Sequence, residues 1–143
     1  MPTAETAFWG DDVLITEALT PIAVMRQAAA QLPIRTKNLL EAEIETVTTD
    51  FEGMEHTFSI VAPGLDRYAC PVFMVRHNTT LVYPAITKSL VHDEVYAGFL
   101  TRNTEDELRS EVRRILNMGS VKSIIYALLA KLNEAKVRQS SQS

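Results

Sequence analysis

Cysteine is almost absent from this chain of 143 residues, in which Cys70 is the only one. A single cysteine excludes an internal disulfide framework and a zinc site built on four thiolates. His77 is too far along the same predicted strand to act as its base, so we interpret Cys70 as a buried, unreactive thiol. Long apolar runs are also absent, as is the basic and apolar start of a secretory signal. We therefore expect a cytoplasmic protein with no membrane contact.

Glycine is scarce as well, with five in the chain. None belongs to a Gly-x-Gly-x-x-Gly or Walker motif, and no serine occupies a Gly-x-Ser-x-Gly elbow, so familiar nucleotide and hydrolase sites are not indicated. The formal charge of −4 gives no reason to expect a nucleic-acid partner. We expect no cofactor and no bound metal, and the absence of a coherent catalytic set argues against an enzyme.

The clearest positive signal is an alternation between residues 40 and 46. Glu41, Glu43 and Glu45 alternate there with Leu, Ala, Ile and Thr, which is the period-two pattern of a half-buried strand. Three carboxylates cannot be buried without partners, so one face of this strand must be in water. We interpret the acidic row as the open face of a sheet and not as a cation site, because no further ligands accompany it.

The pattern of the whole chain predicts an α+β fold of two layers. An N-terminal helix begins at Thr20 and Pro21 and ends at Pro33, and a capping box at Thr104 starts the first of two C-terminal helices. Between them we predict an antiparallel sheet of four or five strands, with both C-terminal helices on one face. The predicted strands cover residues 39–49, 54–61, 72–77 and 81–86, with 94–101 open between strand and helix.

We predict a single domain over residues 1–143, with a partly mobile arm over 1–18 and a disordered tail over 138–143. Charge is uneven within it. Up to residue 66 there are eleven acidic and three basic side chains, whereas from residue 102 onward eight basic side chains outnumber five acidic ones. Surfaces of opposite sign can attract each other within one molecule or between two.

The last helix carries more apolar positions than one stripe requires, which indicates burial on two sides. The second side is either the other helices or a second copy of the chain. We predict that this helix forms an interface in a homodimer or with another protein. The predicted interface residues are Val121, Ile124, Ile125, Leu128, Leu129 and Leu132.

The sequence favours a non-catalytic protein-interaction module that self-associates and binds another protein. The alternative is a small-molecule-binding protein or small enzyme with a pocket between helices and sheet. His56 and His77 could meet across neighbouring strands, although their spacing is not that of a zinc site. The polar segment at His92 groups possible metal ligands, but this grouping is weak evidence for a metal site. The candidate polar groups of the pocket are His56, Tyr68, Arg76, His77 and Tyr83.

Overall fold

A computed structural model describes residues 8, 10, 18–49, 53–91 and 100–141. It shows an N-terminal helix, a five-stranded antiparallel sheet and two C-terminal helices, which confirms the predicted α+β arrangement. The strands follow one another across the sheet in chain order, so the first and the fifth are its edges. The elements are α1 (Pro21–Arg35), β1 (Glu41–Thr49), β2 (Gly53–Ala62), a 3-10 turn (Pro63–Leu65), β3 (Tyr68–Asn78), β4 (Ala85–Ser89), β5 (Leu100–Arg102), α2 (Glu105–Leu116) and α3 (Gly119–Ser141).

Helix α1 begins at the predicted cap, Thr20, whose side chain accepts a hydrogen bond from the first turn. Its predicted end at Pro33 is wrong, because the helix continues for two more residues. A proline in the last turn removes only one N–H donor. Thr36 then closes the helix, since its N–H and its hydroxyl both donate to the carbonyl of Leu32, at 3.0 and 2.9 Å.

Strands β1 and β2 pair antiparallel, as predicted, with Glu41 opposite Val61. Residues 50–52, between them, lie outside the described residues. β3 is longer than predicted. Its pairing with β2 shifts register between Phe58 and Ser59, and this irregularity accommodates Pro71 inside the strand. The sequence pattern does not decide between strand and helix for segment 94–101. The described residues of that segment, 100 and 101, belong to β5.

The connection from β3 to β4 differs from the prediction. A strand over 81–86 was expected to contain Pro84, but β4 begins at Ala85, directly after it. Pro84 has no N–H to offer, so it lies outside the ladder. β4 is an inner strand, because it pairs with β3 on one side and β5 on the other.

The hydrophobic core lies between the inner face of the sheet and the helices. Phe58 of β2 and Phe73 of β3 stack at its centre, with ring centroids 4.9 Å apart. Met25 of α1, Ile115 of α2 and Val121 of α3 are all fully buried against this layer. Each helix therefore contributes to one continuous core.

Helices α2 and α3 are separated by a break at residues 117–118. α3 continues to Ser141, into the segment for which a disordered tail was predicted. Among the residues that the structure describes, no single helix is long and apolar enough to cross a membrane, and α2 and α3 pass that test only together, across a bend of 53°.

A polar clamp ties the start of α1 to the rest of the molecule. The Tyr83 hydroxyl donates to the carbonyl of Leu19 at 2.9 Å, and the N–H of Leu19 donates to Glu105 at 2.6 Å. Arg109 bonds both Glu105, at 2.6 Å, and Gln27 of α1, at 2.7 Å. Its hydrogen bond lowers the pKa of Glu105, and burial raises the pKa of Tyr83. The clamp therefore helps to fix the position of α1 over the sheet.

Removing one bond of this clamp should weaken the fold measurably. We expect Tyr83→Phe to lower the free energy of unfolding by about 1 kcal/mol, because the carbonyl of Leu19 loses its donor. Urea unfolding measures the difference. Tyr126→Phe is the matched control, since that ring is 67% exposed and should tolerate the change without loss. Equal stability of both variants would show that the Tyr83 bond contributes nothing.

Candidate functional site

A groove with a volume of about 650 Å³ lies between α1 and β1. Ala29 and Ala30 line its helix side, while Ile44 and Thr46 line its strand side. The alanines are small, so they leave space between the helix and the strand. Arg26 adds one positive charge to the wall. Pockets of this size accommodate several side chains of a ligand or a peptide.

The groove lies beside an unpaired strand edge. Within the described part of the chain, β1 pairs only with β2, so along residues 41–48 its other edge carries N–H and C=O groups that the sheet does not use. The nine residues of β1 make this a long edge, whereas the opposite edge, β5, has three. A long free edge is a template on which another strand can pair.

The acidic row lies on the solvent side of β1, as the alternation predicted. Glu43 and Glu45 are exposed and Glu41 is half-buried. Arg67, in a left-handed turn with φ of 54°, forms ion pairs with Glu43 and, at 3.8 Å, with Glu41. Sequence reasoning missed this arginine, because only the register of the sheet brings it beside β1. Glu45 has no ion-pair partner among the described residues.

A chain of hydrogen bonds crosses the inner face of the sheet at the end of the groove. Thr46 Oγ1 lies 2.7 Å from His56 Nδ1, and His56 Nε2 lies 2.8 Å from His77 Nε2. His77 Nδ1 in turn lies 2.8 Å from the carbonyl of Asn78. His56 is 1% exposed and His77 is 7% exposed, whereas Thr46 is exposed and lines the groove.

When both rings are neutral, the carbonyl at the end of this chain assigns every proton in it. A carbonyl can only accept, so His77 Nδ1 carries a proton and the neutral ring accepts at Nε2. His56 must then donate from Nε2 and accept at Nδ1 from the Thr46 hydroxyl. All four ring nitrogens are satisfied when both rings are neutral.

Burial of this pair shifts the titration of His56. Desolvation, followed by the proximity of His77 and of Arg26 on α1, lowers its pKa from 6.5 to about 4. His56 is therefore neutral at pH 7. A ring with so low a pKa is a weak general base, so the contact with the Thr46 hydroxyl does not activate that oxygen for attack.

The structure brings together two of the five predicted pocket residues, His56 and His77, and disperses the others. Tyr68 is exposed at the start of β3, and Tyr83 belongs to the clamp. Arg76 pairs with Glu55 at 2.7 Å on the solvent side of the sheet. None of the five lines the groove.

Thr46 and Arg26 are the groove residues that sequence reasoning missed. The signal for Thr46 was present, because a hairpin centred near residue 51 places it opposite His56. The place of Arg26 in the groove follows from no motif, since it depends on how α1 crosses β1.

The polar segment at His92 lies outside the described residues, and within those that are described no group of three or more His, Cys, Asp or Glu side chains could hold a metal ion. Cys70 is half-buried and not fully buried as predicted. Its burial still raises the pKa of the thiol, which disfavours the reactive thiolate.

The predicted interface residues of α3 lie against the core of their own chain. Val121 and Leu128 are buried, and the other four are partly buried and packed on that core: Ile124, Ile125, Leu129 and Leu132. Leu132 reaches the 3-10 turn, where it lies close enough to Gly64 to leave no room for a β-carbon. The chain itself supplies much of the second side that the apolar excess indicated, and an interface on this helix stays a prediction.

Comparison of this chain with family models, with curated proteins and with solved structures finds no match.

The buried histidine pair should make stability depend on pH. The unfolded chain binds a proton at His56 below pH 6.5 and the folded chain does so only near pH 4, so stability is complete above pH 6.5 and falls as the pH drops to about 4. We expect a loss of up to about 3 kcal/mol across this interval. Urea unfolding at a series of pH values measures it.

Replacing both rings isolates this contribution from that of the carboxylates. The variant His56→Leu with His77→Leu should lack the additional loss between pH 6.5 and 4. Nitrogen chemical shifts of the rings provide the direct test, because His56 should stay neutral well below pH 6. A midpoint near 6.5 for His56 would contradict the assignment.

Proposed function

We propose that this protein is a non-catalytic protein-interaction module that binds an extended segment of a partner chain along the free edge of β1. The observation that supports the proposal most is the combination of a nine-residue edge strand with a groove of about 650 Å³ beside it. Either feature alone is common. Together they offer main-chain hydrogen bonds along the edge and room for side chains under α1.

Strand addition would use both parts of this arrangement. The incoming chain would pair with the N–H and C=O groups along residues 41–48, which extends the sheet by one strand. Every second side chain of that strand would point toward α1, because side chains alternate between the faces of a sheet. Those side chains would enter the groove between Ala30 and Ile44, while the others would lie on the open face.

The alternative function, a small-molecule site or small enzyme, has less support. The groove lacks the polar residues predicted for such a pocket, and the histidine pair beside it is already satisfied internally. The weak basicity of His56 argues against acid–base catalysis there. We propose a cytoplasmic location for the module, since a single cysteine suits a reducing compartment.

Filling the groove should abolish strand addition. The probe is a capped neutral heptapeptide with the sequence Thr-Val-Thr-Val-Thr-Val-Thr. We expect it to slow hydrogen exchange of main-chain amides within residues 41–48 in the unaltered protein. In Ala30→Trp the indole occupies the groove, so that protection should be lost.

The matched control is Ala130→Trp, which adds the same ring at an exposed position of α3. This variant should bind as the unaltered protein does. Urea unfolding of both variants confirms that each is folded. Absence of protection at β1 in the unaltered protein would refute binding at this edge, whereas its persistence in Ala30→Trp would refute the role of the groove.

Self-association is the second part of the proposal. Because the apolar face of α3 lies on the core, the residues left to form an interface there are its exposed ones, among which Tyr126 is the largest apolar side chain. Light scattering behind a sizing column should show a dimer at micromolar concentration that Tyr126→Glu converts to a monomer. A monomer in the unaltered protein would contradict the homodimer and leave the β1 edge unaffected.

A further inference from the structure

We infer that the segment bound by β1 belongs to a different protein and alternates basic with apolar side chains. This inference rests on the proposed function and names its partner. The chemistry of the partner follows from the two faces of β1, which differ in charge and in the burial of their side chains. Glu43 and Glu45 are exposed on one face, and Ala42 and Ile44 are half-buried on the other.

The open face determines the charge of the partner. A strand added to β1 places every second side chain directly beside the acidic row, with β-carbons about 5 Å apart. Lysine or arginine there would meet opposite charge. Arg67 already neutralises part of the row at Glu41 and Glu43, so the preference should be strongest opposite Glu45.

The groove determines the remaining positions. Side chains that point toward α1 opposite Ala42 and Ile44 would contact these two residues together with Ala29 and Ala30. These four side chains are apolar, and an ionised group placed against them would lose hydration. Valine, isoleucine or leucine at these positions would instead remove apolar surface from water.

A second copy of β1 fits this edge poorly. Two antiparallel copies related by a two-fold axis keep their glutamates on one shared face of the extended sheet. A register centred on residue 44 places Glu43 opposite Glu45 twice, and one centred on residue 45 places Glu45 opposite itself. Like charges in these positions destabilise the pairing. The acidic row thus selects against self-pairing at the edge where it would bind a basic strand.

The chain's own first 17 residues are also poorly matched. They contain four acidic residues and no lysine or arginine. Pairing with β1 would bring these carboxylates toward the acidic row. Charge therefore disfavours a second copy of β1 and the first 17 residues as occupants, and a basic strand of another protein fits better.

Three capped heptapeptides of one length and one apolar content test the inference. They alternate valine with lysine, with threonine or with glutamate, and hydrogen exchange along residues 41–48 locates their binding. We expect the lysine peptide to bind about tenfold or more tightly than the glutamate peptide at low salt, with threonine between them. The ratio should shrink at high ionic strength, which screens exposed charges.

A charge reversal provides the matched comparison. Glu45→Lys should reduce affinity for the lysine peptide several-fold and increase affinity for the glutamate peptide. Glu134→Lys, at an exposed position of α3, has the same effect on net charge and should change neither by a comparable amount.

The outcomes separate this inference from the proposed function. Equal affinity for the three peptides, with protection of β1 by each, would overturn the charge selection and leave strand binding intact. No protection of β1 by any of them would overturn both. Concentration-dependent protection of β1 without peptide would identify a second copy as the occupant and overturn the inference. If β1 is protected without peptide and that protection is lost when residues 1–17 are deleted, the chain's own first segment is the occupant, which would also overturn the inference.

Discussion

The two unlike faces of β1 are the constraint on which the rest of this structure depends. Its inner side chains, at Ala42 and Ile44, require a cover, and α1 supplies it. Its outer side chains are carboxylates that require water, so no helix can lie there. The helices therefore lie on the inner face, and the clamp at Leu19 and Glu105 helps to hold α1 in place. The edge of β1 remains open beside the groove that this arrangement creates.

The hydrogen bonds of the histidine pair also favour the observed register of β1 and β2. Thr46 meets His56, and His56 meets His77, only when β1, β2 and β3 are aligned as they are. A slip of one residue would move Thr46 to the other face and leave a buried ring nitrogen without its partner. The pair thus disfavours other alignments at neutral pH, and the lowered pKa of His56 is mainly the consequence of its burial.

Much of the architecture could be predicted from the sequence because it rests on local patterns. The period of two in β1, the cap at Thr20 and the capping box at Thr104 identify their elements without tertiary information. The proximity of His56 and His77 follows from consecutive antiparallel strands with both rings on the inner face. These predictions were correct because they rest on local patterns and on the pairing of consecutive strands.

The remaining features depend on contacts between distant parts of the chain. Tyr83 is of a residue type that suits a pocket, but its hydroxyl donates to the carbonyl of Leu19. Only the position of α1 makes that hydrogen bond possible. Arg67 reaches the acidic row because a left-handed turn directs it there. The apolar excess of α3 indicated a second surface correctly, but composition alone does not distinguish the chain's own core from a partner. The alternative hypothesis placed a pocket between helices and sheet, but none of its candidate residues lines the groove, since neither α1 nor β1 contains the groove alone.

Intermolecular nuclear Overhauser effects between the lysine–valine peptide and the protein would locate the bound strand. We expect contacts from peptide valine methyl groups to Ile44 and Ala30, together with the main-chain contacts of a strand paired to β1. Contacts confined to α3 or to β5, with none to β1, would contradict binding at this edge.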